Sequence, residues 1–163
     1  MLLVALSVSA QQATPDSAQQ APLDSLQLKT LKGLVSPFAA LSKKEPVILL
    51  CFWSVNSEPS MGELNAINAQ YAKWKQTAPF KLMAVCIDEG NLLNRMRPTA
   101  NGNGWTFDVY GDINGDLQKF FSINDSNLPV SLILYKEQVV YRQSGFEAGT
   151  ESYLFTRIQG IAK

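Results

Sequence analysis

Seven consecutive apolar residues, Val47-Ile48-Leu49-Leu50-Cys51-Phe52-Trp53, constrain this chain more than any other stretch. A run this short and β-branched, bounded by Pro46 and a polar turn, reads as a strand buried on both faces in a parallel sheet. Past the turn, Leu64, Ile67, Tyr71 and Trp74 recur on one helical stripe. Serines open that helix. Ser57 or Ser60 can accept from N–H groups two or three residues on, and Ser60-x-x-Glu63 fits a capping box.

Lys81 to Ile87 is a second apolar strand, so strand, helix and strand form a right-handed crossover unit with its strands parallel. Before the buried strand, Leu26 and Leu28 alternate with polar residues, Lys32-Gly33 turns and Val35 resumes, which predicts an edge hairpin. Pro37 to Leu41 adds a helical turn. After the crossover, Leu92, Leu93 and Met96 suit a short helix that Pro98 ends. Asn101-Gly102-Asn103-Gly104 reads as a turn, because neither a lysine nor the full Gly-x-Gly-x-x-Gly spacing of a phosphate cradle comes after it. Thr106 to Tyr110 is a short strand, and Asn114 caps a helix bearing Leu117, Phe120 and Phe121. Val130 to Tyr135 and Val139 to Arg142 form an antiparallel hairpin. Thr150 caps a final helix with Leu154, Ile158 and Ile161 on one face. This order predicts an α/β fold: a mixed sheet with helices on both faces.

At 163 residues the chain suits one domain plus a short tail. The 14 basic and 14 acidic residues cancel, which gives no electrostatic case for nucleic acid or an anionic membrane. There is no histidine, so Ser-His and Cys-His catalysis and every histidine metal site are excluded. Two widely separated cysteines make no structural zinc site, and no metal or cofactor is expected. Met1 to Ala10 (MLLVALSVSA) is an apolar run ending in small residues, too short to span a bilayer, and reads as a signal peptide for export to a bacterial periplasm. Residues 11–25, rich in Gln, Ala, Ser and Pro, read as a disordered linker, and the domain occupies 26–163.

Phe52-Trp53, Pro59, Leu128-Pro129-Val130 and Gly145-Phe146, in this order, together with Ala84-Val85-Cys86-Ile87-Asp88, resemble the TlpA/ResA-like branch of the thioredoxin superfamily. The resemblance covers Leu26 to Ala162 and implies a thioredoxin-like mixed sheet. It also implies that Ser57 and Ser60 stand where the family carries its Cys-x-x-Cys thiols, and that Pro129 is a cis proline facing the same corner. In the family, the residue before that proline pairs its backbone with a bound peptide; here it is Leu128. Cys51 takes the place where thioredoxin proper has a buried acid.

Disulfide exchange needs a sulfur that ionises near neutral pH and accepts attack on its own S–S bond. Serine does neither. The expected function is therefore an exported, redox-silent module with a degenerate Ser-Glu-Pro-Ser corner that binds a protein or extended peptide. Trp53, Asn56, Ser57, Glu58, Pro59, Ser60, Leu128 and Pro129 would form its surface, with no catalytic residue. The alternative is a thiol–disulfide oxidoreductase, either with serines introduced into a Cys-Glu-Pro-Cys parent or with Cys51 and Cys86 carrying the exchange. Those two fall on adjacent strands and point the same way, which favours buried free thiols over a mutual disulfide. A peroxiredoxin reading fails for want of a sulfur in its Thr-x-x-Cys site.

Overall fold

The computed structural model describes residues 22–42 and 45–163. In chain order the elements are β1 (Gln27–Thr30), β2 (Val35–Pro37), α1 (Phe38–Ser42), β3 (Val47–Trp53), α2 (Glu58–Thr77) and β4 (Lys81–Cys86). Then come α3 (Gly90–Leu93), α4 (Met96–Gly102), β5 (Asp108–Gly111), α5 (Asp116–Phe120), β6 (Val130–Tyr135), β7 (Gln138–Ser144) and α6 (Thr150–Ile161). The seven strands form one sheet in the order β2-β1-β5-β4-β3-β6-β7. β3 lies at its heart, parallel to β4 and antiparallel to β6.

The continuous apolar run is explained by what covers it. Every residue of β3 is buried, and alternate side chains serve two separate cores. Val47, Leu49, Cys51 and Trp53 pack with Leu64, Ile67 and Trp74 of α2 and with Leu154 and Ile158 of α6. Ile48, Leu50 and Phe52 pack on the other face with Phe38 of α1 and Leu117 of α5. Burying one such side chain is worth about 1.5–3 kcal/mol, against about 1 kcal/mol net for a ladder hydrogen bond. Each of these side chains therefore gains more from packing on its face, shared by the helices and by strand neighbours such as Leu82 and Ile133, than the strand gains from one ladder bond. Trp74 of α2 and Phe155 of α6 are stacked with centroids 4.6 Å apart, which fastens the two helices together. At Gly62 a Cβ would lie 2.9 Å from the Phe146 ring, so only glycine lets this ring rest on α2.

Several helix ends differ from the sequence reading. Pro98 does not end a helix; it sits in the first turn of α4, where a missing N–H leaves nothing unpaired. Asn114 does not cap α5. Gly115 takes the cap position with φ 66°, and the carboxylate of Asp112 accepts from the N–H groups of Leu117 (3.2 Å) and Gln118 (2.7 Å). Thr150 is the first residue of α6 rather than its cap, and Gly149 precedes it with φ 98°. The 101–104 segment is half helix and half turn. Two asparagines of α2 anchor the residues just beyond it: Asn65 accepts from Trp105 Nε1 at 2.7 Å, and Asn68 accepts from the Thr106 N–H at 2.9 Å.

The final hairpin is tighter than expected, with β7 starting at Gln138 and only Lys136 and Glu137 between the strands, both at positive φ (50° and 69°). A register shift between Ile133 and Leu134 bulges the edge strand and leaves Val139 and Val140 exposed. The expected signal peptide and most of the linker lie outside the described residues; at the linker's end, Leu23–Ser25 form a 3-10 turn. No helix among the described residues is long and apolar enough to cross a membrane.

Candidate functional site

β3 delivers the chain to a turn at Ser54, and α2 begins four residues later. Ser57 is the cap: its backbone is extended (φ −93°, ψ 101°), and its hydroxyl accepts from the Ser60 N–H at 3.3 Å. The Ser60 hydroxyl donates to Ser57 Oγ at 2.8 Å, so the two serines face each other across the first turn. Pro59 fits there because the first turn has no intrahelical use for its N–H. Glu63 takes no part in a capping box. It is wholly buried and turned into the core.

That inward turn builds a polar cluster behind the corner. Ser131 Oγ of β6 lies 2.9 Å from Glu63 Oε2 and 3.2 Å from Cys51 Sγ. One hydroxyl proton serves one of the two, and the carboxyl is the stronger acceptor, which leaves the Cys51 S–H to donate to Ser131. Glu63 Oε1 has no partner among the described residues. Burial, reinforced by the negative charge of Glu151 on α6, pushes the Glu63 carboxyl up from 4.5 to about 7, against the pull of the Ser131 hydrogen bond. Burial and the nearby Glu63 likewise push the Cys51 thiol well above its ordinary value.

A second carboxylate latches the turn to β4. Asp88 accepts from Ser54 Oγ (2.7 Å), the Val55 N–H (2.7 Å) and Cys86 Sγ (3.1 Å). Burial, with the Asp88 charge adding to it, holds the Cys86 thiol protonated far above its ordinary value. Cys51 and Cys86 are both free and buried.

In front of the corner lies a cleft of about 530 Å³. Ser54, Asn56 and Ser57 form one wall, and Ile87, Asp88, Glu89 and Leu92 form a second. Gln118, Asp125 and Leu128 close it. Three carboxylates line this space and no Lys or Arg side chain does; the nearest cation identified by a hydrogen bond to the wall is Arg95, which donates to Asn56 Oδ1 at 3.4 Å. The peptide bond between Leu128 and Pro129 is cis. Among the described residues no group of three or more Cys, Asp or Glu side chains is placed to hold a metal ion.

Neither a family model nor a curated protein matches the chain. Solved structures do. An uncharacterized thioredoxin-like protein from Porphyromonas gingivalis is 30% identical, with 86% of this chain and 91% of that one covered at a TM-score of 0.73. The chain belongs to the thioredoxin-like proteins. Two more distant likenesses share the fold alone. A putative thiol:disulfide interchange protein DsbE from Chlorobium tepidum is 20% identical, covering 84% and 92% at a TM-score of 0.71. Peroxiredoxin Q from Xanthomonas campestris is 16% identical, covering 86% and 94% at a TM-score of 0.66.

The residues singled out in the sequence of this thioredoxin-like protein divide by burial. Asn56, Ser57 and Leu128 meet in the cleft. Glu58 and Pro59 are exposed but outside its lining. Trp53 is not a surface residue: it is fully buried, its ring perpendicular to that of Trp105 with centroids 4.9 Å apart. The last residue of a strand covered on both faces has no outward side for its ring. Ser60 and Pro129 are buried too, and Leu128 reaches the cleft with only 8% of its surface. Sequence reasoning missed the roles of Glu63, Ser54, Glu89, Gln118 and Asp125. The signal for Glu63 was a carboxylate on the helical stripe of Leu64 and Ile67; the others converge only in three dimensions.

Proposed function

We propose that this thioredoxin-like protein is exported and redox-silent, and that it seats an extended segment of a partner protein in the cleft between Ser57 and Leu128. The convergence of Asn56, Ser57 and Leu128 on one cleft carries this reading. Its volume of about 530 Å³ falls within the roughly 300–1,000 Å³ usual for ligand sites. The chemistry of the corner agrees. A serine hydroxyl neither ionises near neutral pH nor forms a disulfide, and the Ser57–Ser60 hydrogen bond caps a helix. Exchange through Cys51 and Cys86 is disfavoured because attack requires an accessible thiolate, and both thiols are buried and held protonated. Export rests on the apolar run Met1 to Ala10.

The test pairs binding with redox assays. A panel of extended peptides titrated into labelled protein should shift amide signals of Asn56, Ser57, Glu89 and Leu92. Leu92→Trp, which fills the cleft from α3, should abolish those shifts while the melting temperature holds. Insulin reduction with dithiothreitol should stay at the reagent background. Binding that survives Leu92→Trp overturns the placement, and turnover above background that disappears in Cys51→Ala overturns the redox-silent reading.

A further inference from the structure

Away from the cleft, a second cavity of about 210 Å³ opens between the β1–β2 hairpin and the α3–α4 segment. Its charge is opposite to the cleft's. Lys29 and Lys32 come from the hairpin and Arg97 from α4, and no Asp or Glu lines the space. None of the three takes part in the ion pairs formed among the described residues, Lys75 with Glu45 and Lys81 with Asp108. In a chain of zero net charge, three unneutralised cations around one hollow are a local concentration of positive potential. Asn94 and Thr30 add uncharged hydrogen-bonding groups to the same wall.

We infer that this pocket binds a phosphate group. Arg97 supplies the planar fork that matches phosphate oxygens, and the two lysines supply point charges from the facing side. The volume is below the usual range for drug-sized ligands, which restricts the occupant to a single phosphate with at most a small organic portion inside. The phosphate can be free or borne by a lipid headgroup. Next to the pocket-lining turn, Leu34 and Val35, the latter paired with Lys29 across the hairpin, are 65% and 51% exposed, an apolar pair positioned to meet acyl chains if the source is a lipid.

The experiment is a titration of the full chain with sodium phosphate and with glycerol phosphate, reading the amide signals of Thr30 to Gly33 and Asn94 to Arg97. Sodium chloride at matched ionic strength is the control. Saturable shifts confined to these segments are expected, with affinity reduced at least tenfold in Lys29→Gln/Lys32→Gln/Arg97→Gln at an unchanged melting temperature. A parallel arm sediments the protein with vesicles of phosphatidylglycerol or of phosphatidylcholine alone. Binding to the anionic vesicles that is lost both in the triple variant and in Leu34→Ser/Val35→Ser assigns the phosphate to a lipid. Saturation by the soluble phosphates without sedimentation assigns it to a small molecule. Shifts equal to those in chloride, or unchanged in the triple variant, together with no sedimentation on anionic vesicles overturn the inference.

Discussion

Replacing Glu63 by glutamine tests the buried polar cluster behind the corner through its pH dependence. Folding raises the Glu63 carboxyl from 4.5 to about 7, because the ionised form loses its hydration and lies near Glu151. Between those two values the folded protein keeps a proton that the unfolded chain releases. Stability therefore falls as pH rises through that window, and is flat with respect to this group below and above it. At about 1.4 kcal/mol per pH unit, the loss is roughly 3 kcal/mol by pH 8. Asp112 is also raised by burial, so the wild-type curve alone mixes two groups. The difference between wild type and Glu63→Gln isolates one of them. Equilibrium unfolding in urea from pH 4 to pH 8.5 should give a wild-type curve that descends between pH 5 and pH 7 and a variant curve lacking that component. The amide offers Ser131 an acceptor but brings its own N–H groups to the site of the unpartnered Oε1, a cost of about 1–3 kcal/mol that is constant with pH. The shape of the difference therefore carries the test, whatever its offset. Two curves that run parallel from pH 4 to pH 8.5 would refute the argument.

Three further outcomes are expected from the same geometry. With Ser57 Oγ and Ser60 Oγ 2.8 Å apart, Ser57→Cys/Ser60→Cys should close an intramolecular disulfide under mild oxidation, read by thiol titration; thiols that stay reduced contradict the corner geometry. Asp88→Ala removes the acceptor shared by Ser54, Val55 and Cys86, and should cost roughly 2–3 kcal/mol and speed hydrogen exchange at the Val55 amide; protection equal to wild type rules out the latch. Lys136→Asn/Glu137→Gly supplies residues that tolerate positive φ in the two-residue turn and should raise stability by about 1 kcal/mol in urea unfolding, whereas a loss would show that the turn adopts another conformation.

What can be read from the chain depends on how local the cause is. The β3 run is legible because burial on both faces leaves a mark in seven adjacent residues, and the α2 stripe because its period matches the helix. That same double burial hides direction: nothing in VILLCFW distinguishes the two faces, and the sequence puts Trp53 at the surface although its ring is in the core. Ser57 and Ser60 are both reasonable caps, and only the backbone at Ser57 decides between them. Glu63 stands at capping-box distance from Ser60, but with Ser57 as the cap Ser60 is itself inside the first turn and the box has no cap to close on; the partner Glu63 meets in the core, Ser131, comes 68 residues later. Asp112 displaces Asn114 as the group that caps α5 because its carboxylate reaches two N–H groups from outside the helix. The cleft is half visible, since Asn56, Ser57 and Leu128 belong to recognisable words, whereas Glu89, Gln118 and Asp125 carry no local signal.

The place of β3 in the sheet has a bearing on how the protein is made. Its two neighbours are β4, next in the sheet after the α2 crossover, and β6, which arrives only with Val130–Tyr135. On a ribosome, Cys51 in the most apolar strand is therefore synthesised 80 residues before Ser131, its partner in the second neighbour. At the usual pace of about 5–20 residues per second, one edge of β3 stays open for roughly 4–16 s. During that interval the nascent protein presents an unpaired apolar edge, the surface on which strands of other chains add. Translation that stops short of Val130 leaves that edge open for good.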